Sequence, residues 1–190
     1  RVRVDYYHDA ATIAEYNELL IDQDGNGNKG DFIVKGAYNT VDLVQTGNGN
    51  REYVQVFGSH NDVDITATGN NNRGFWLLNG NATSNDLDVT MTGNNNKATG
   101  HIQGDDNDVD VSQTGDGNLV TASGQYNAKD GVVVIGDLNT ADIMQMGDGN
   151  TGLIFQTGDN NLGTISSTGN NHLGSVIQTG GMNEALITQN

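Results

Sequence analysis

Val41-Asp42-Leu43-Val44-Gln45-Thr46-Gly47-Asn48-Gly49-Asn50 is the stretch that decides the fold. Val41, Leu43 and Gln45 alternate with Asp42, Val44 and Thr46, the period of two that sends one set of side chains to one face of a strand. Gly47 to Asn50 supplies residues that tolerate positive φ, so the chain reverses there. One short strand with one thin apolar face is marginal by itself, and its stability must come from equivalent neighbours.

Those neighbours run along the whole chain. The Gly-x-x-Asn turn recurs at Gly25, Gly36, Gly47, Gly58, Gly69, Gly93, Gly104, Gly115, Gly124, Gly136, Gly147, Gly158 and Gly180, mostly at intervals of 11 residues. Two extra residues enter near Gly80 to Asn85, the intervals around Gly124 are nine and twelve, and His172 stands where Asn is due after Gly169. An upstream unit without the Gly reads from Ala14 through Asn17, Leu19, Ile21 and Gln23, giving sixteen units from about residue 14 onward. The triplets Val41-Asp42-Leu43, Val63-Asp64-Ile65, Leu87-Asp88-Val89 and Val109-Asp110-Val111 lie close to 22 residues apart, so alternate units are the more alike. This periodicity predicts an all-β protein, a β-solenoid of about eight two-stranded coils with a 22-residue repeat and cross-β stacking at about 4.8 Å. Ala141-Asp142-Ile143 falls on the other phase, so the parity is expected to slip after Gly124. Residues 1–13 are set apart as an N-terminal segment, flexible or export-related, and residues 14–190 form the array.

Asn and Gln at inward positions lose roughly 1–3 kcal/mol each if unpaired, and stacking on their own kind satisfies donor and acceptor together. One predicted ladder is Asn28, Asn39, Asn50, Asn61, Asn72, Asn96, Asn107, Asn118, Asn139, Asn150, Asn161 and Asn183; the other is Gln23, Gln45, Gln113, Gln145, Gln156, Gln178 and Gln189. Val34, Val56, Ala67, Leu78 and Met91 replace the Gln in several units. Gly30, Gly74, Gly152, Gly163 and Gly174 stand inward after the turn, where their size is expected to let the backbone close tightly. A solenoid without caps exposes strand edges at both ends, so Leu19 and Ile21 at one end and Ala185 and Ile187 at the other are the expected contacts between subunits stacked head to tail as a fibre.

The composition agrees. Hydrophobic residues make up 34%, with 27 Gly, no Pro and no Cys, too little apolar material for an ordinary globule and no thiol for a disulfide or a thiolate metal site. The net charge of −16 argues against nucleic acid or an anionic membrane as partner, and no stretch approaches the roughly 18 apolar residues of a membrane span. A start at Arg1 reads as a processed, secreted chain.

A strand ending Gln-x-Gly-x-x-Asn behind an apolar-x-apolar lead resembles the curlin repeat of bacterial curli fibre subunits. Residues 41–50, 109–118, 143–150 and 154–161 carry it, and the resemblance extends over about nine-tenths of the chain. It implies a secreted structural subunit that self-assembles as a homopolymer into extracellular amyloid fibres of a biofilm matrix. It also implies a nucleator subunit and an outer-membrane secretion pore as partners, no cofactor and no membrane insertion. The major fibre subunit is the better match. Residues 1–13 depart from the Gly-rich export tail of well-known members.

The alternative is a monomeric secreted solenoid that binds ice, calcium or a surface glycan. Asp22-Gln23-Asp24-Gly25-Asn26-Gly27-Asn28 places oxygens at alternate positions but has no bidentate Glu at the required offset. The Thr residues before the turns, Thr46, Thr68, Thr92, Thr114, Thr157, Thr168 and Thr179, form a column only one residue wide. An enzyme is not expected. The acids sit at repeat positions, Asp105 and Asp106 read as turn residues, and His8, His60, His101 and His172 are scattered.

Overall fold

The structure is a computed structural model that describes the backbone of residues 2–6, residues 16–120 and residues 131–190, with Gly80 and Asn81 as backbone alone. The described residues form strands joined by tight turns, with no helix among them. Strands alternate between two parallel sheets. The first holds Val2–Tyr6 (β1), Lys29–Lys35 (β3), Arg51–Ser59 (β5), Arg73–Thr83 (β7), Lys97–Gln103 (β9), Leu119–Val120 (β11), Val132–Ile135 (β12), Thr151–Thr157 (β14) and Leu173–Thr179 (β16). The second holds Glu18–Asp24 (β2), Thr40–Asn48 (β4), Asp62–Asn70 (β6), Asp86–Asn94 (β8), Asp108–Thr114 (β10), Thr140–Met146 (β13), Leu162–Thr168 (β15) and Glu184–Gln189 (β17). One strand from each sheet makes a coil of about 22 residues, and the strands fill eight rows in each sheet, β11 and β12 sharing one, for about seven full turns. The expected solenoid of about eight two-stranded coils is therefore present.

The core is a slab two side chains thick between the sheets. Val41, Leu43, Ile65, Leu87, Val111 and Ile143 from the second sheet meet Phe32, Val54, Trp76, Ile102 and Ile154 from the first, all buried. Like lies over like, as in Val41↔Val63 and Leu43↔Ile65, because a parallel in-register pairing puts equivalent positions of successive coils one strand spacing apart. The inward glycines serve a purpose other than the expected backbone closure. A Cβ at Gly30 would lie 2.6 Å from the Phe32 ring and one at Gly152 would lie 2.9 Å from Ile143 Cγ2, and those at Gly74, Gly163 and Gly174 would also meet side chains. These glycines make room for large neighbours, as Gly100 does for the Trp76 indole.

The two irregularities of the sequence resolve differently from the reading above. In β7 the pairs Val56↔Leu78 and Gly58↔Ala82 show that the two extra residues form a bulge inside the strand, not a longer turn. Ala82, not Gly80, then occupies the turn-glycine position opposite Gly58, and its carbonyl accepts the Asn61 amide at 2.9 Å. The second irregularity is an insertion. β11 and β12 share one row between β9 and β14, with Leu119↔Lys97, Val120↔Ala98 and Val132↔Gly100, so Val120 and Val132 are ten residues further apart in sequence than their partners. The unit expected at Gly124 to Asn127 lies outside the described residues. The parity does not slip: Val109↔Ala141, Asp110↔Asp142 and Val111↔Ile143 are neighbours in the same sheet.

The two lines of turns are chemically unequal. On one line the residue before the Asn is Gly27, Gly49, Asn71, Asn95, Gly117 or Gly149, and before His172 it is Asn171, types that suit its left-handed conformation. On the other line the same conformation is held by Tyr16, Tyr38, His60, Leu138 and Met182, among others, with φ near 58° for Tyr38 and Met182. Each costs about 1–2 kcal/mol relative to Gly. Stacking offsets part of it, since Tyr16 and Tyr38 lie 5.3 Å apart and Tyr38 and His60 5.0 Å apart, rings nearly parallel.

Candidate assembly site

Each turn ends in an Asn that enters the core edge, and successive coils place these Asn side chains one above another. On the line Asn17, Asn39, Asn61, Asn85, Asn107, Asn139, Asn161 and Asn183, the Oδ1 of each accepts from the backbone N–H and the Nδ2 of the next, as in Asn61 N (3.0 Å) and Asn61 Nδ2 (2.9 Å) to Asn39 Oδ1. The Nδ2 also donates forward to the turn carbonyl of the following coil, at 2.9 Å from Asn61 to Ala82. On the line Asn28, Asn50, Asn72, Asn96, Asn118 and Asn150, Nδ2 reaches the carbonyls of Gly47, Gly69, Gly93, Gly115, Gly147 and Gly169 at 2.7–2.9 Å. His172 continues this line differently: its N–H donates to Asn150 Oδ1 at 3.0 Å while its Nε2 lies 3.1 Å from the Thr168 carbonyl. Each kind of bond keeps its own sense from coil to coil, Oδ1 always accepting from the next coil and Nδ2 always reaching forward to the next coil's carbonyl, so the ladders have a direction.

The expected single Gln ladder is instead three short runs. Gln23 donates to Gln45 and Gln113 Nε2 to Gln145 Oε1 at 3.0 Å in one sheet, and Gln156 Nε2 to Gln178 Oε1 at 2.9 Å in the other. Ala67 and Met91 interrupt the second sheet's column between Gln45 and Gln113, and Ser167 stands between Gln145 and Gln189. Each interior run begins with an orphan: the Oε1 atoms of Gln113 and Gln156 have no partner, because Met91 and Val134 lie where a donor is needed. The glutamines gain their second bond across the core, Gln45 to the Lys29 carbonyl at 3.3 Å and Gln156 to the Thr140 carbonyl at 2.8 Å.

Two features escaped the sequence reading. An outer ladder follows each turn glycine, where Asn48 N donates to Asn70 Oδ1 (3.1 Å), Asn94 N to Asp116 Oδ1 (2.7 Å), Asp116 N to Asp148 Oδ1 (2.8 Å) and Asp137 N to Asp159 Oδ1 (3.0 Å). The signal was present, since the residue after the glycine is in most units Asn, Asp or Ser. Asn85, hidden by the bulge, also belongs to the inner ladder and is buried.

The end strands expose what interior strands hide. Leu19 and Ile21 of β2 and Ala185 and Ile187 of β17 point inward yet are only half-buried, packed against the core from one side. The Thr residues before the turns do not form one array: Thr46, Thr68, Thr92, Thr114 and Thr168 share a sheet, interrupted by Met146, while Thr157 and Thr179 lie on the other.

Charge is also laddered. Asp42, Asp64, Asp88, Asp110 and Asp142 stack in register on the outer face of the second sheet, beside a column containing Asp62, Asp86 and Asp108. Partial burial and then neighbouring carboxylates, Asp62 and Asp42 first, raise the Asp64 carboxyl above its usual range; Asp86, Asp88, Asp110 and Asp142 are raised for the same reasons. Glu52 is the extreme case. It points into the core with a carboxyl filling the space over Gly74, its oxygens lack a well-formed hydrogen bond, and burial pushes it well above 4.5 against a smaller opposing pull from the Gly74 backbone. A carboxyl raised in the folded state binds its proton more tightly there, so the stability it contributes is complete below about pH 4.5 and is lost as pH rises through the folded value. Glu52→Gln is therefore expected to raise stability at neutral pH by roughly 1–3 kcal/mol and to match the wild type near pH 4. Denaturant unfolding across that pH range measures it, and an equal gain at both ends would contradict the buried-carboxyl account.

The family model described as Curlin associated repeat matches residues 82–115, 104–127 and 136–169. The matches begin at Ala82, Gly104 and Gly136, successive positions of one turn line, so the family's repeat and the structural coil share a phase. Neither the curated proteins nor the solved structures give a match to the chain.

Proposed function

Because this chain carries curlin-associated repeats through the middle of its stack, we propose that it is a structural subunit that polymerises head to tail with its own copies into an extracellular amyloid-type fibre of a biofilm matrix. The observation that carries this reading is the directional Asn ladder. Its rungs are alike from coil to coil, and Asn183 Oδ1 receives no donor among the described residues, whereas each interior Oδ1 of its line accepts the next coil's N–H. A second copy presenting Asn17, Leu19, Ile21 and Gln23 would set them over Asn183, Ala185, Ile187 and Gln189, continuing amide on amide and aliphatic on aliphatic. Because the ladder has one sense, only a head-to-tail joint continues it, and a heterologous joint of that kind grows without closing. A nucleating subunit and a secretion pore belong to the same reading through the family's biology.

Dilution of the denatured chain into buffer tests it. Fibres with an axial reflection near 4.8 Å are expected, and Ile21→Lys or Ile187→Lys is expected to leave a folded β-rich monomer that does not elongate. A wild-type chain that refolds to a discrete monomer at every concentration overturns the proposal.

A further inference from the structure

The chain has only eight Lys and Arg among 190 residues, yet four of them stand in one column: Lys29↔Arg51↔Arg73↔Lys97, the first outward positions of β3, β5, β7 and β9. Like charges directly opposite on neighbouring strands work against the sheet. Among the described residues the only ion pair in this column joins Lys29 to Asp31. Beside the cations runs a second column in which Tyr53 and Phe75 stack at 4.9 Å, with Phe75 39% exposed. Together they border a groove of about 380 Å³ on the first sheet. The opposite sheet is the electrostatic inverse. Its Asp ladder borders a groove of about 640 Å³, floored by Thr66, Thr90 and Ser112, and β4, β6, β8, β10 and β13 carry no cation.

We propose that copies of this chain also associate side by side, the Lys29-Arg51-Arg73-Lys97 column of one seated on the Asp42-Asp64-Asp88-Asp110-Asp142 ladder of the next. The two columns belong to sheets with the same strand spacing of about 4.8 Å, so their charges fall into step rung for rung. Beyond the Lys29–Asp31 pair, no ion pair among the described residues offsets Arg51, Arg73, Lys97 or the Asp ladder within a single copy, and one contact relieves both columns. The exposed Phe75 and its stacked partner Tyr53 add apolar area at the same seam. The two surfaces lie on opposite faces of one molecule, so a copy bound on one side leaves its other face free, and the association extends sideways as a ribbon. This contact requires the solenoid but not end-to-end growth, and therefore stands apart from the fibre reading.

The full chain is polymerised at about 0.01 M and about 1 M salt, where charges act over roughly 30 Å and 3 Å respectively, and bundle width is read by electron microscopy. Wild-type filaments are expected to lie in lateral ribbons at low salt and singly at high salt. The triple variant Arg51→Glu, Arg73→Glu, Lys97→Glu is expected to form single filaments at low salt with wild-type elongation, and to form ribbons again when mixed with Asp64→Lys, Asp88→Lys, Asp110→Lys. The milder set Arg51→Gln, Arg73→Gln, Lys97→Gln, checked by circular dichroism, serves if reversal prevents folding. Wild-type ribbons that persist at high salt, or single wild-type filaments at low salt, overturn the proposal. So do variants that still form ribbons; if those variants instead lose retention on an acidic polysaccharide such as polygalacturonate, the basic column belongs to a polyanion. Should no filament form, the fibre reading fails, and sedimentation of the soluble chain decides the lateral one: self-association at low salt that the triple variant loses supports it, and a monomer overturns it.

Discussion

Gly69→Ala is expected to destabilise the protein by about 3–5 kcal/mol. Gly69 has a φ of +113°, and a Cβ there would lie 2.0 Å from the Gly93 carbonyl oxygen. That oxygen is backbone, fixed by its own coil, and it also accepts the Asn72 amide at 2.9 Å, so it cannot turn aside without breaking the ladder. The adjacent glycines of the line meet the same obstacle, with a Cβ at Gly47 2.1 Å from Gly69 O and one at Gly93 2.1 Å from Gly115 O. Gly180→Ala is the control. Its φ is +104°, but the nearest atom to its Cβ is Asn183 Nδ2 at 3.7 Å, so only the backbone strain of about 1–2 kcal/mol is expected. Denaturant midpoints of the two variants give the difference, and equal losses would show that coil-on-coil contact is not what demands glycine.

Asn61→Ala is expected to cost about 3–5 kcal/mol through the ladder instead of through volume. Its side chain donates to Ala82 O and Asn39 Oδ1 and accepts from Asn85 N and Asn85 Nδ2, all away from water. Removing it orphans the Ala82 carbonyl and the Asn85 N–H together, each at about 1–3 kcal/mol. Asn183→Ala removes the bonds to Asn161 Oδ1 and the Thr179 carbonyl at an exposed last coil, where water replaces them, and under about 1 kcal/mol is expected. Hydrogen exchange of the flanking coils reads both. If Asn61→Ala opens only its own turn, the rungs act singly; if β5 to β8 exchange together, the ladder couples coils.

The ladders also explain why much of this protein was legible before its structure. A turn that needs positive φ and a capping amide is a local requirement, so Gly-x-x-Asn marks it wherever it occurs, and the period of two between turns marks the strands. The inner Asn column follows from those two facts alone. The Gln column did not, because whether Gln113 meets another glutamine depends on which strand lies beside it, and that neighbour is Met91 on one side and Gln145 on the other. Glu52 was unremarkable in the sequence for the same reason: a Glu after a turn looks solvated until Gly74 on the next coil leaves space for its carboxyl in the core.

By itself the sequence determined the strand, the turn, the 22-residue coil and the parallel stacking, since each follows from side-chain alternation and backbone sterics within a few residues. Only the tertiary structure decided that Ala82 replaces a turn glycine behind a bulge, that β11 and β12 share one strand position without exchanging the sheets, and that the cations and the aspartates gather on opposite faces. The physical reason is that sheet membership is a relation between strands. An inserted residue can be absorbed in a turn or in a bulge with the same local chemistry, and the choice falls to whichever arrangement keeps the hydrogen bonds of the coils on both sides in register.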